Sequence, residues 1–144
     1  MKILVINGPN INMLGIREPG IYGKQTFADL LSLIEKTAKD ENLEIAQFQS
    51  NHEGAIVDKI QESYGHIDGI VINPAAYTHS SVAILDALKS VSIPAVEVHI
   101  SDVDAREAFR QISYAGMACE HTVKGHGLEG YREAILYLKA KYNK

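Results

Sequence analysis

Glu97 and His99 stand two residues apart in the apolar run A-V-E-V-H-I at residues 95–100. In a strand that spacing puts both side chains on one face. A carboxylate there can orient and charge the imidazole, making a competent proton donor. Glu-x-His pairs in strands also serve purely structural ends, so the chemical reading depends on where the strand ends. A second chemical group lies in residues 8–23, G-P-N-I-N-M-L-G-I-R-E-P-G-I-Y-G, which carries Asn10, Arg17 and Tyr22. A tyrosine phenol ionises near pH ~10, so working as a base near neutrality needs about 4 kcal/mol of phenolate stabilisation. A guanidinium five residues away in a water-poor pocket is of the right kind to supply it, because arginine stays charged when desolvated. The plain alternative for Tyr22 is a hydrophobic plug. Asn73, His79 and Ser101 complete the set of polar residues near expected strand ends.

The elements that must position these groups follow from periodicity. Lys2–Asn7 reads as a buried strand closed by Gly8-Pro9. Residues 8–23 are too rich in glycine and proline for a strand or helix interior. They also exceed the ~2–6 residues usual for a strand-to-helix connection, which points to an active-site lid. Thr26 caps a helix through about residue 41, with Asp29 three positions on. Residues 43–49 alternate like a strand near an edge. Ser50 and Glu53 have capping-box spacing for a second helix carrying Ile56, Val57, Ile60 and Tyr64 and stopping at Gly65. Residues 67–73 form a third strand, and Ser80 or Ser81 caps a third helix through Val91. The apolar residues of that helix go most of the way round, hinting at cover on two sides and a subunit contact. A fourth strand at 95–100, a short helix at 105–111, a fifth strand at 119–124 and a helix at 128–142 follow, the last with Leu128, Tyr131, Ala134, Ile135 and Leu138 on one face. Five strands alternating with five helices imply an α/β doubly wound parallel sheet in a single domain, residues 1–144. Ligands of such sheets bind beyond the carboxyl ends of the strands, here Asn7, Asn73 and His99.

Composition bounds the partners. The chain has 144 residues, 46% hydrophobic and 22% charged, with net charge −4. Without a basic cluster, neither nucleic acid nor an anionic membrane surface is indicated. No segment approaches the ~20 apolar residues of a membrane span, and the N-terminal apolar run is too short for a signal core, so the expected location is cytoplasmic. The sole cysteine, Cys119, excludes an internal disulfide and reads as a small buried hydrophobe. Histidines 52, 66, 79, 99, 121 and 126 lack ligand spacing, so no metal site is expected. Residues 125–130, G-H-G-L-E-G, match a dinucleotide pattern but open the last helix, with no βαβ unit to follow and no acidic ribose partner ~20 residues on. Glycines turning the chain tightly onto that helix explain them. A phosphate-binding P-loop is absent, and a receiver domain would need carboxylates where Asn7 and Asn73 stand.

The motifs G-P-N-I-N-M-L-G-I-R-E-P-G-I-Y-G, N-P-A-A-Y-T-H-S-S and E-V-H-I-S together resemble type II 3-dehydroquinate dehydratase, in order and spacing along essentially the whole chain. The resemblance implies a flavodoxin-like subunit that dehydrates 3-dehydroquinate to 3-dehydroshikimate by anti elimination through an enolate, with no cofactor. It implies Tyr22 as base assisted by Arg17, Asn10 holding a water at the enolate, and His99 as acid oriented by Glu97. It further implies substrate contacts from Asn73, His79, Ile100, Ser101 and Arg110, the last supported by Arg106, with Asp86 reaching in from a neighbouring subunit of a dodecamer built from trimers. Asp102 and Asp104 depart from the family's usual Asn and His-bearing stretch, and Ile11 and Met13 replace its commoner leucines. The competing reading is a non-catalytic flavodoxin-like module that binds a small anion through Arg17, Asn73, Ser101 and Arg110. A type I dehydratase would need a barrel of typically ~250 residues, too long for this chain.

Overall fold

In β1, Lys2–Asn7, alternate residues enter different cores. Ile3 and Val5 pack with Leu30, Ile34, Tyr131 and Ile135 on one face of the sheet, whereas Leu4 and Ile6 pack with Ile56, Ile60, Ile84 and Leu88 on the other. A strand buried on both faces needs a continuous apolar run, which is what residues 3–6 provide. The computed structural model describes residues 1–16, 20 and 24–143.

The sheet contains β1, β2 (Glu44–Gln49), β3 (Gly69–Asn73), β4 (Ala95–His99) and β5 (His121–Lys124), all parallel in the order β2-β1-β3-β4-β5. Helices α1 (Phe27–Asp40) and α4 (Glu129–Tyr142) cover the first face, and α2 (Glu53–Glu62) and α3 (Val82–Val91) the second. This is the flavodoxin-like doubly wound arrangement, whose direction of winding reverses between β1 and β3. The register sets Asn7 beside Asn73 at that reversal, so two amide side chains meet where the strands end.

Several local expectations hold in detail. Thr26 and Asp29 form a reciprocal capping box on α1, Ser81 Oγ accepts the Ile84 N–H to cap α3, and β2 is an edge strand. Others need correction. Ser50 does not cap α2: its Oγ accepts the His52 N–H, and the helix begins after His52 without a side-chain cap. The helix expected at 105–111 is instead two 3-10 turns, Val103–Ala105 and Ala108–Arg110, separated by Arg106 in an extended conformation. Gln111 Nε2 donates to the Val103 and Arg106 carbonyls at 3.0 and 3.2 Å, supplying from a side chain what helical N–H groups would otherwise give. The strands β3 and β5 begin two residues later than expected. The second side of α3 is covered within the chain by the turn Ala115–Ala118, while Val82 stays half exposed at 50%.

Candidate active site

Beyond the carboxyl ends of β1, β3 and β4 lies a cleft of about 230 Å³, lined among others by Asn10, Asn73, His79, His99, Ile100, Ser101, Arg106 and Arg110.

The floor is set by a close approach of two loops. Gly8 donates its N–H to the Asn73 carbonyl at 2.8 Å, and a Cβ on Gly8 would stand 2.4 Å from the Pro74 oxygen. Only glycine permits that separation. The chain then turns through Asn10, in the left-handed region at φ 71°, whose N–H donates to Asn51 Oδ1 at 3.0 Å. Gln49 Nε2 donates to the Gly8 carbonyl, and Ile11 and Leu14 anchor the loop in the core. Met13, by contrast, stays 40% exposed.

Asn73 is buried and doubly held. Its Oδ1 accepts the Ala75 N–H at 3.1 Å, stabilising Ala75 at φ 54°, and its Nδ2 donates to the Tyr131 hydroxyl at 2.9 Å. An amide carries two hydrogens on nitrogen, so one remains for the cleft that Asn73 lines. His79 Nδ1 lies 2.8 Å from the Ile112 carbonyl; a carbonyl only accepts, so Nδ1 carries the hydrogen and Nε2 of the neutral ring is an acceptor.

His99 and Glu97 do share a face, the one that α3 covers, and both are buried. His99 Nε2 hydrogen-bonds Glu97 Oε1. An ionised carboxylate only accepts, so Nε2 carries a hydrogen, and Nδ1 is the nitrogen left to exchange a proton with a ligand. Glu97 itself lies behind His99, in an adjoining cavity of about 300 Å³.

The segment after β4 is braced by the glycines of the G-H-G-L-E-G motif. Gly125 N–H donates to the His99 and Ser101 carbonyls at 3.3 and 3.2 Å, and Gly127 N–H to Ile100 at 3.1 Å, with φ of 79° and 60° at the two glycines. These glycines therefore shape the cleft wall by tight turning, as their position suggested. Asp102 caps the first 3-10 turn by accepting the Asp104 N–H, and Asp104 pairs with Lys124. At the rim, Arg110 Nε donates to Glu107 Oε2 at 2.8 Å and Arg106 Nε lies 3.9 Å from Glu107 Oε1. The Arg110 hydrogen bond leads the causes that hold the Glu107 carboxyl below its ordinary range. Arg110 and Arg106 both approach Glu107 at this rim, and guanidinium groups are the side chains suited to meeting an anionic ligand.

Of the residues singled out in the sequence, Asn10, Asn73, His79, His99, Ile100, Ser101 and Arg110 meet in one cleft, with Glu97 directly behind it. Asp86 lies on the exposed face of α3, outside the lining of this subunit's cleft. Arg17 and Tyr22, and with them part of the proposed lid, lie outside the described residues. Three supporting residues escaped the sequence reading. Tyr131 reads as one position of an apolar stripe, although a buried tyrosine hydroxyl usually finds a partner. Ser113 and Asn51 sit in loops with no sequence signal. Among the described residues no group of three or more His, Cys, Asp or Glu side chains could hold a metal ion, and no helix is long and apolar enough to cross a membrane.

Known proteins resemble this chain in sequence and in fold. The 3-dehydroquinate dehydratase of Lachnoclostridium phytofermentans is 59% identical over 94% of this chain and 94% of its own. That of Lachnospira eligens is 56% identical over 98% of this chain and 99% of its own. The crystal structure of the type II dehydroquinase from Butyrivibrio crossotus superposes with a TM-score of 0.95 at 57% identity, covering 96% of this chain and 97% of that one. The family described as dehydroquinase class II matches residues 1–139, and the chain belongs to that family.

Proposed function

We propose that this chain removes water from 3-dehydroquinate to give 3-dehydroshikimate, by anti elimination through an enolate and without metal or organic cofactor. The observation that carries the reading is the buried Glu97–His99 pair opening onto a cleft that Arg106 and Arg110 line. A module that merely bound an anion would need the rim but not a buried, charge-oriented imidazole.

In this reading the Tyr22 phenolate, assisted by Arg17, takes a proton from the carbon next to the ketone; both assignments come from the sequence motif. The electron pair moves onto the ketone oxygen, where a water held by Asn10 stabilises the enolate. Re-formation of the carbonyl then expels the β-hydroxyl, which takes its proton from His99 Nδ1 and leaves as water. Glu97 stabilises the imidazolium from the Nε2 side, as the hydrogen-bond geometry allows. Asn73, His79, Ile100 and Ser101 hold the substrate, and Arg110 with Arg106 meets its carboxylate. Asp86, exposed on α3, completes the site of a neighbouring subunit in a dodecamer of trimers. The enzyme works in the cytoplasm, in aromatic amino acid biosynthesis (the shikimate pathway) or quinate breakdown.

The test is turnover of 3-dehydroquinate by purified protein in the presence of a chelator. The proposal expects the ultraviolet absorbance of a conjugated enone to grow at a rate proportional to protein. Folded protein that binds the substrate and yields no enone would favour the anion-binding module instead.

A further inference from the structure

Ser113 lies 16 residues from Glu97 in sequence, yet its Oγ stands 2.8 and 2.9 Å from the two carboxylate oxygens. The same Oγ accepts the Gly116 N–H at 2.9 Å. A serine hydroxyl has one hydrogen, and with Gly116 donating to the oxygen that hydrogen is left to the carboxylate. Gly116 meets Glu97 from the same side: a Cβ there would fall 2.3 Å from Glu97 Oε2 and 2.8 Å from Ser113 Oγ. A donor and an empty space thus converge on one carboxylate that is only 2% exposed.

A buried carboxylate with a single partner is costly and free to rotate about its last bond. Here Oε1 holds His99 Nε2, and Ser113 spans Oε1 and Oε2, so the carboxylate plane is fixed at both oxygens. That plane in turn sets the imidazole ring and which nitrogen faces the cleft. We infer that Ser113 is a positioning residue for the dehydration, locking Glu97 so that His99 presents Nδ1 to the substrate, with Gly116 supplying the backbone N–H and the space. This rests on the reading of His99 as the proton donor.

Ser113→Ala removes the donor; Ser113→Cys keeps the volume but leaves a weak one. Both are expected to lower kcat about ten- to hundred-fold, the loss of a hydrogen bond to a charged group that matters in the transition state. KM should stay within about twofold, as for an interaction not made with the substrate. Nitrogen-15 spectra of wild type are expected to show the His99 Nε2–H in one hydrogen-bonded environment, and those of both variants to lose that single environment. Wild-type kcat and unchanged His99 signals in both variants, with only a lowered melting temperature, would reduce Ser113 to a pin between a loop and β4 and overturn the inference. Glu97→Gln separates the two claims. If it slows turnover while the Ser113 variants do not, only the inference fails; if it turns over normally, the reading of the Glu97–His99 pair fails with it.

Discussion

Tyr131 accepts the Asn73 Nδ2–H at 2.9 Å and donates to Asn7 Oδ1 at 2.6 Å, tying α4 to the ends of both strands that flank the winding reversal. All three side chains are buried, and the bridge itself is made by protein groups alone. Burial raises the Tyr131 phenol's ionisation well beyond its usual range, keeping it a donor at any working pH. The hydroxyl therefore fixes the amide of Asn73 without contributing charge.

Tyr131→Phe would keep the ring and remove only this bridge. It leaves Asn7 Oδ1 and Asn73 Nδ2 short of a partner in a buried place, at a cost of about 1–3 kcal/mol. Urea unfolding should show the loss as a lower midpoint with an unchanged slope. Because Asn73 is proposed to touch the substrate, KM should rise as well.

Gly8→Ala would push a methyl group to within 2.4 Å of the Pro74 oxygen, against backbone on a second strand-end loop. Neither side can yield by turning a side chain. The cost expected of such overpacking is about 1–3 kcal/mol, read as a lower melting temperature. A stability equal to wild type would mean that the two loops separate easily, and that the floor of the cleft is less fixed than described.

Cys119 should be inert in the native state. Burial, then the charges of Glu97 and Glu120, push its thiol up to about 12. Since the thiolate is the reactive form, a disulfide reagent at neutral pH should label the folded protein slowly and the urea-unfolded protein fast. The same shift ties stability to alkaline pH. From its ordinary value of 9.0 up to about 12, the folded state keeps a proton that the unfolded state has released. Stability from this group is then full below pH ~9 and declines as pH rises above it. Cys119→Ala should flatten that decline.

What the sequence made legible was whatever depends on short-range periodicity. The continuous apolar run of β1, the capping box of Thr26 with Asp29, and the shared face of Glu97 and His99 all follow from local geometry, and they sufficed to bring most of the site together. Ser50 misled because its hydroxyl accepts the His52 N–H, two residues on, before the helix begins. The stretch around Arg106 misled because a side chain, Gln111, replaces helical donors. Tyr131 was legible as a core residue but not as a bridge between Asn7 and Asn73, which lie 124 and 58 residues away. No period in the chain encodes such an encounter; the sheet order does.

The central claim is that two different groups remove the proton and expel the hydroxyl. It is tested most directly by following hydrogen exchange at the carbon next to the ketone of 3-dehydroquinate, in deuterium oxide, with variants lacking one group each. His99→Asn should form product about 10²–10⁴-fold more slowly, yet still wash deuterium into the recovered substrate, because the enolate forms and returns. Tyr22→Phe should do neither beyond the rate of buffer alone. Exchange or turnover by Tyr22→Phe at near the wild-type rate would contradict the account.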